Sequence, residues 1–291
     1  MSLPEFDLAA LKKVGTIQQR QPEYFVLRLR LVGGDTHAET LQKVAKIAGQ
    51  YGRGEVHLST RQGIEIPFVH YTRIAEARQA VEAAGLKMGA CGPRVRVIIA
   101  CPGEQVCKWG IIDTKSIAKK LDAEHFGTET PHKFKLAVTG CPHNCAKATE
   151  NDIGIMGGIR PEWRAENCTS CGLCVSVCPT QAITKEDTKY VLDETKCIYC
   201  AICTSLCPQD AWLKKDIGYL LTIGGTQGKK PRLGSKLTGL LTSLDTVYEL
   251  IRKIIAYYQK HGRKKERFGH ALDRIGLEQA REEILNGLHD Q

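Results

Sequence analysis

Residues 101–107 read CPGEQVC and residues 140–145 read GCPHNC. Each cysteine pair, Cys101/Cys107 and Cys141/Cys145, follows a strand-like run: VRVII before the first, KFKLAV before the second. The pattern predicts that each pair also opens a helix. Strand ends and helix starts offer free backbone N–H groups, which hydrogen-bond thiolates and inorganic sulfide and lower the cost of their charge. Four soft thiolates gathered in that way suit an iron–sulfur cube or zinc. A lone pair would be weak grounds for a metal, since free cysteine is commonly a buried small hydrophobe. Two pairs in equivalent places say far more.

Downstream lies an internal repeat. ENCTSCGLCVSVCPTQAI (166–183) and TKCIYCAICTSLCPQDAW (195–212) share Cys-x2-Cys-x2-Cys-x3-Cys-Pro, and an alanine recurs three positions after each proline. The repeat marks residues 165–213 as an inserted domain. Two zinc sites are the bland alternative, but zinc rarely uses a close-packed eight-cysteine repeat. The repeat resembles a bacterial two-cluster ferredoxin, in which the fourth cysteine of each run ligates the other cube. That resemblance implies one cluster on Cys168, Cys171, Cys174 and Cys207, and another on Cys197, Cys200, Cys203 and Cys178.

The spacing of the central pairs, Cys-x5-Cys followed by Gly-Cys-Pro-x-x-Cys, resembles the 4Fe–4S motif of the sirohaem-containing sulfite and nitrite reductases, and the resemblance covers most of the chain. It implies sirohaem and three 4Fe–4S clusters per chain, with the Cys145 thiolate shared between the central cube and the sirohaem iron. It also implies cations that hold a small oxyanion: Arg28, Lys133 and Lys135, with either Arg96 or Arg94 as the second arginine. Arg30, Arg61, Lys229, Lys230 and Arg232 match positions that hold the sirohaem carboxylates, the last three in a glycine-rich basic stretch, LLTIGGTQGKKPRLG, that would otherwise read as a flexible loop. Lys135 stands where nitrite reductases of the family typically carry Asn, which points to sulfite. The implied activity is the six-electron reduction of sulfite to sulfide, an oxidoreductase acting on a sulfur group, with electrons arriving through the ferredoxin domain. Ammonia-forming nitrite reduction and a non-catalytic electron carrier are the alternatives. Tandem members of the family carry two copies of this unit; the single copy and the insert are more similar to anaerobic, dissimilatory-type catalytic subunits. A single copy implies a homodimer or a dimer of dimers, with a ferredoxin or a flavin/iron–sulfur protein as electron donor.

Composition fits that picture. The 291 residues are 42% hydrophobic and 25% charged, ordinary for a soluble globular protein. No apolar run approaches the ~20 residues needed to span a bilayer, and MSLPEFD is not a secretory leader. Thirteen cysteines in such a chain point to metal rather than disulfides, and to the cytoplasm. The formal charge of +9 counts every cysteine as neutral. Three four-thiolate cubes would remove about six units of it, so the positive charge is expected to face an anionic cofactor and substrate, not nucleic acid or a membrane.

The remaining sequence predicts an α+β fold: a ferredoxin-like open sheet (residues 1–90), a reductase α/β domain in two parts (91–164 and 214–291), and the inserted bacterial ferredoxin domain (165–213). Residues 22–31 alternate, with Phe25, Leu27, Leu29 and Leu31 on one face and Val26, Arg28 and Arg30 on the other. Thr36 and Glu39 form a capping-box pattern for a helix to about residue 51. Strands VHLST and GIEIPFV follow, joined by Arg61-Gln62-Gly63, then a helix over 72–84 ending at Gly85 and the strand RVRVII. This β-α-β-β-α-β order is ferredoxin-like. A helix from Cys107 to about 124, a strand from Lys133, a strand or turn over 151–160 and an amphipathic helix over 243–261 complete the reading. His57 and Cys91 read as a satisfied histidine and a buried thiol.

Overall fold

The computed structural model describes residues 6–287. They form two compact units. The first comprises the chain up to Ala100 with Ser116–Leu136 and Tyr258–Phe268; the second comprises Cys101–Lys115, Ala137–Tyr257 and the chain from Gly269.

The first unit contains helix α1 (Leu8–Lys13) and strands β1 (Thr16–Gln18) and β2 (Tyr24–Arg28), then α2 (Ala38–Tyr51), β3 (His57–Leu58), β4 (Ile64–His70) and α3 (Ile74–Ala83). Its sheet is antiparallel, in the order β1-β2-β4-β3. The alternation in β2 is real: Phe25 and Leu27 are fully buried beside Leu29, and they pack with Val44 and Ile47 of α2 and Ala77 of α3. In β4 the alternation breaks. The register shifts between Phe25/Val69 and Leu27/Ile66, so Pro67 and Phe68 together oppose one residue. Phe68 adopts φ 60°, and its N–H is taken by the Gln19 side chain at 2.6 Å. This bulge lets Ile66 and Val69, an odd number of residues apart, both reach the core.

Two sequence expectations change here. RVRVII does not close this sheet; β1 occupies the edge beside β2, and only β5 (Ile99–Ala100) is a strand, leading into Cys101. The capping box does not form either. His37 is the N-cap of α2 with no side-chain cap bond, and Glu39 pairs instead with Lys43 one turn on, at 2.9 Å. The first unit is completed by Phe134, which is fully buried and stacks on Tyr258 at 5.2 Å, with Phe268 at 5.5 Å.

The helix expected from Cys107 begins only at α4 (Thr114–His125). Residues 102–113 turn tightly around the thiols, with Gly103 at φ 69°. After β6 (Leu136–Thr139) comes β7 (Ile153–Trp163), which pairs along its whole length with β10 (Trp212–Ile223). The insert leaves from one end of this ladder, where Trp163 faces Trp212. It holds α5 (Leu173–Val177), the hairpin β8 (Ile183–Glu186) and β9 (Lys189–Leu192), and α6 (Ile202–Leu206). Strand β11 (Ser235–Lys236) pairs with β10, and α7 (Leu244–His261), α8 (Phe268–Ile275) and α9 (Leu277–Leu285) follow. Among the described residues no helix is long and apolar enough to cross a membrane.

Replacing Phe134 with Ala removes the centre of the aromatic stack. It is expected to cost about 3–5 kcal/mol of stability, measured as a lowered midpoint of urea unfolding.

Candidate functional site

The insert sorts its eight cysteines into two cavities. Cys168, Cys171, Cys174 and Cys207 line one, with Tyr190 and Trp212. Cys178, Cys197, Cys200 and Cys203 line the other. The fourth cysteine of each run therefore lies with the other run, as the resemblance to a two-cluster ferredoxin implies. The repeat extends to backbone detail: the Ala182 N–H donates to Cys178 Sγ and the Ala211 N–H to Cys207 Sγ, both at 3.2 Å. These are the two alanines that recur after the prolines. Gln181 and Asp210, one residue earlier, are both left-handed, at φ 51° and 49°.

The surroundings of these cavities fit an anionic, sulfur-rich group. Burial, then the nearby charges of Cys200 and Cys197, push Cys203 up to about 12. Burial likewise raises Cys174 and Cys197. Burial also presses Cys178 upward, but the N–H groups of Ala182 and Thr180 outweigh it and hold this thiol below its ordinary value. The Tyr190 hydroxyl and the Trp212 indole N–H are buried without a protein oxygen or nitrogen partner, and the indole is directed at Cys174. Cysteines that share a buried cavity lose their protons readily only to a bound cationic centre, and the buried Tyr190 and Trp212 donors beside them suit acceptors; a cluster of iron and sulfide supplies both.

The central cysteines belong to the second unit. Cys101 Sγ accepts from the Gly140 N–H at 3.0 Å, and Cys141 Sγ lies 3.3 Å from His143 Nδ1. Cys101 and Cys141 are buried, Cys107 is half-buried and Cys145 is exposed. Burial raises Cys141, the His143 backbone N–H opposes it, and the charges of Cys101, Cys145 and Cys107 raise it further. Among the described residues no three Cys, His, Asp or Glu side chains converge as tightly as a single ion requires.

In the first unit, Arg28, Arg61, Arg96, Lys133 and Lys135 line one open cleft of about 850 Å³, with Glu65 the acidic residue in its wall. Arg28 is fixed from two sides: Nε meets Glu65 at 2.7 Å and Nη1 meets the Cys91 sulfur at 2.7 Å. Arg96 donates to the carbonyls of Ala90 and Gly92, each at 3.0 Å. Burial holds Arg96 below its ordinary value, with Cys91 opposing and Arg28 and Arg267 adding to the effect. Burial and the charges of Lys133, Arg267 and Arg96 lower His132 as well. Arg61 donates to the Val97 carbonyl at 2.9 Å.

Of the other predicted cations, Arg30, Arg94 and Arg232 are paired with carboxylates, and Lys229 and Lys230 are exposed. Arg30 is bound to buried Asp122, with Nε at 2.8 Å, and lies over the Phe126 ring at 3.7 Å. Arg94 pairs with Glu129 at 3.0 Å and lines a different cavity from Arg96. Arg232 is engaged by Asp273 and by the Gly269 carbonyl at 2.8 Å. Lys229 and Lys230 are exposed on the loop between Thr226 and Arg232. His57, expected to be a satisfied residue, is exposed. Cys91 is buried as expected, but its contact with Arg28 makes it part of the cleft wall, which a lone cysteine in sequence does not reveal. Gln62 was likewise legible only as a turn residue; its amide bonds both backbone groups of Ala100, at 2.8 and 3.0 Å, immediately before Cys101.

Residues 91–290 match the nitrite and sulphite reductase 4Fe-4S domain, and residues 17–84 match the nitrite/sulfite reductase ferredoxin-like half domain. The chain belongs to the nitrite and sulphite reductase family. Within that family, it is 34% identical over 274 residues to a coenzyme F420-dependent sulfite reductase of Methanocaldococcus jannaschii, a match covering 93% of this chain and 44% of that protein. It is 30% identical to one of the subunits of the anaerobic sulfite reductase of Salmonella typhimurium, covering 90% of this chain and 84% of that polypeptide. The chain thus spans less than half of the first relative and most of the second. Its fold resembles the crystal structure of dissimilatory sulfite reductase I, with a TM-score of 0.73 at 20% identity over 92% of this chain and 72% of that one.

Proposed function

We propose that the chain is a sirohaem–4Fe–4S sulfite reductase, the catalytic subunit of an anaerobic, dissimilatory-type enzyme that takes electrons through its ferredoxin insert. One observation carries the reading: five cationic side chains line a single cleft in a chain of the nitrite and sulphite reductase family. An electron carrier has no use for such a cleft. When bound, sirohaem supplies an iron for the substrate's sulfur and the clusters supply single electrons. The protein's own task is to hold a doubly charged oxyanion and help its oxygens leave as water. Guanidinium groups fixed as Arg28 and Arg96 are, by a carboxylate, a thiol and carbonyls, give pre-set hydrogen bonds to the oxyanion at little reorganisation cost. Lys133 and Lys135 provide positive charge and the protons the departing oxygens need. Arg61, Lys229 and Lys230 are the residues assigned to the sirohaem carboxylates, since Arg30, Arg94 and Arg232 are spent on Asp122, Glu129 and Asp273.

The route for electrons follows β7. Ile159 forms a parallel bridge with Cys200, and its N–H bonds the Tyr199 carbonyl at 2.9 Å. Two residues earlier, about 7 Å along the strand, Gly157 presses on the residue before Cys141: a Cβ there would stand 2.4 Å from the Gly140 oxygen. In the proposed relay the cluster on Cys178, Cys197, Cys200 and Cys203 is the one next to the central cube, and its twin is the outer one. A reduced ferredoxin or a flavin/iron–sulfur protein would donate to the outer cluster.

Lys133→Ala and Lys135→Ala are expected to leave the cofactors bound and to lower sulfite turnover on the order of a hundredfold each. Lys135→Asn should shift relative activity towards nitrite. Unchanged sulfite kinetics in both alanine variants would remove the lysines from the mechanism.

The reading includes a second copy of the chain, paired about a twofold axis, with Arg28, Lys133 and Lys135 of one protomer serving the cube on Cys101, Cys107, Cys141 and Cys145 of the other. Mixing Lys133→Ala/Lys135→Ala chains with Cys145→Ala chains, each inactive alone, should then restore turnover in the heterodimer. Verified heterodimers with loaded cofactors and no recovered turnover would show that each chain closes its own pocket.

A further inference from the structure

Lys236 lies on β11, outside the cysteine repeat, yet its side chain ends on it. The Nζ donates to the carbonyl oxygens of Glu194 at 3.2 Å, Thr195 at 2.9 Å and Cys197. These carbonyls belong to the turn that opens the second cysteine run. The ammonium also sits 5.5 Å from the centre of the Tyr199 ring, and Tyr199 is fully buried. The Lys236 carbonyl is itself gripped by Arg281, through Nε at 3.1 Å and through Nη2, so the strand end cannot drift.

An ammonium has three N–H donors, and here all three go to neutral carbonyls. Asp193 and Glu194 are the nearby carboxylates. Neither pairs with Lys236: the Glu194 carboxylate takes the Tyr199 hydroxyl at 2.9 Å and faces Arg160 at 3.7 Å, and Asp193 faces Lys196 at 3.5 Å. The Lys236 charge is therefore directed at the Cys197 turn, where it contacts the Cys197 carbonyl itself. Both opening turns close on themselves, the Cys168 N–H on the Ala165 carbonyl at 3.1 Å and the Cys197 N–H on the Asp193 carbonyl at 3.0 Å. The second turn also receives the Lys236 ammonium, whereas the groups against the first run's cavity are the neutral Tyr190 and Trp212.

Reducing a cluster adds one negative charge to it. A fixed positive charge in a partly buried setting favours that reduced form more than it would in water. We propose that Lys236 makes the two clusters of the insert unequal, raising the reduction potential of the one on Cys178, Cys197, Cys200 and Cys203 above that of its twin. An electron delivered by a reduced flavin or iron–sulfur protein then comes to rest on the cluster beside β7, from which it leaves for the central cube. This rests on the reading of the insert as a two-cluster ferredoxin.

The test is a potentiometric titration of anaerobically purified holoenzyme, followed by electron paramagnetic resonance. It compares wild type with Lys236→Gln, Lys236→Met and Lys236→Arg. Gln keeps a hydrogen-bond donor without the charge, Met keeps only bulk, and Arg keeps the charge. Gln and Met should each move one of the insert's two cluster transitions to lower potential and leave the other in place, and Arg should return it close to wild type. A structural anchor alone would leave Gln like wild type. Two intact insert clusters with unmoved potentials in Gln and Met would overturn the role of Lys236. So would loss of a cluster in Met alongside an unmoved potential in Gln. Wild-type protein that shows no pair of 4Fe–4S signals from the insert would instead overturn the ferredoxin reading itself, and the two failures are distinguishable.

Discussion

The functional parts of the second unit depend on the antiparallel ladder between β7 and β10. It runs from Ile153–Ile223 to Trp163–Trp212 with a single irregularity at Lys214/Asp216. Because the two strands stay paired to their ends, the chain can depart for some fifty residues and return to the same place, and loop length itself adds little entropic penalty. Glycine makes the ladder thin where it must be thin. A Cβ on Gly157 would collide with the Gly140 carbonyl, and one on Gly158 would stand 2.9 Å from Tyr199 Cβ and from Leu240. The segment carrying Cys141 and the segment carrying Cys200 thus both lie against one strand.

The cation cleft is built on different physics. Like charges are gathered there against their mutual repulsion, and neutral or acidic neighbours offset part of it: Glu65 and the Cys91 sulfur on Arg28, backbone carbonyls on Arg96 and Arg61. The same partners fix the guanidinium directions before any anion arrives. Such a cleft is costly as bare structure and suited to an oxyanion. Arg30 shows the contrast. On the same strand face by alternation, it meets a buried carboxylate at close range and becomes a structural ion pair.

Much of this was legible in the sequence. The cysteine repeat marked the insert, and its resemblance to a two-cluster ferredoxin implied the same grouping of cysteines that now share the two cavities. The alternation in residues 22–31 identified a strand for the same reason that Phe25 and Leu27 are buried: one face meets a core. The errors came where tertiary contacts decide. Thr36 and Glu39 carry a capping pattern, but Lys43 takes the glutamate and the helix starts one residue later, with His37 as its N-cap. RVRVII has the composition of a strand that could close the first sheet, yet β1, short and weakly patterned, holds that edge. Arg94 and Arg96 are indistinguishable by alternation; only Glu129 on one side and the Ala90–Gly92 carbonyls on the other separate them. Lys236 and Gln62 act across tens of residues and leave no local signature.

In the proposed enzyme, one chain holds both a catalytic tetrapyrrole centre and the clusters that feed it. The most direct measurement is the absorption spectrum and iron content of anaerobically purified, fully loaded protein. The account predicts tetrapyrrole bands together with about thirteen iron atoms per chain, from three four-iron clusters and one sirohaem. A spectrum without those bands, with roughly eight irons per chain, would contradict it and leave an electron carrier in its place.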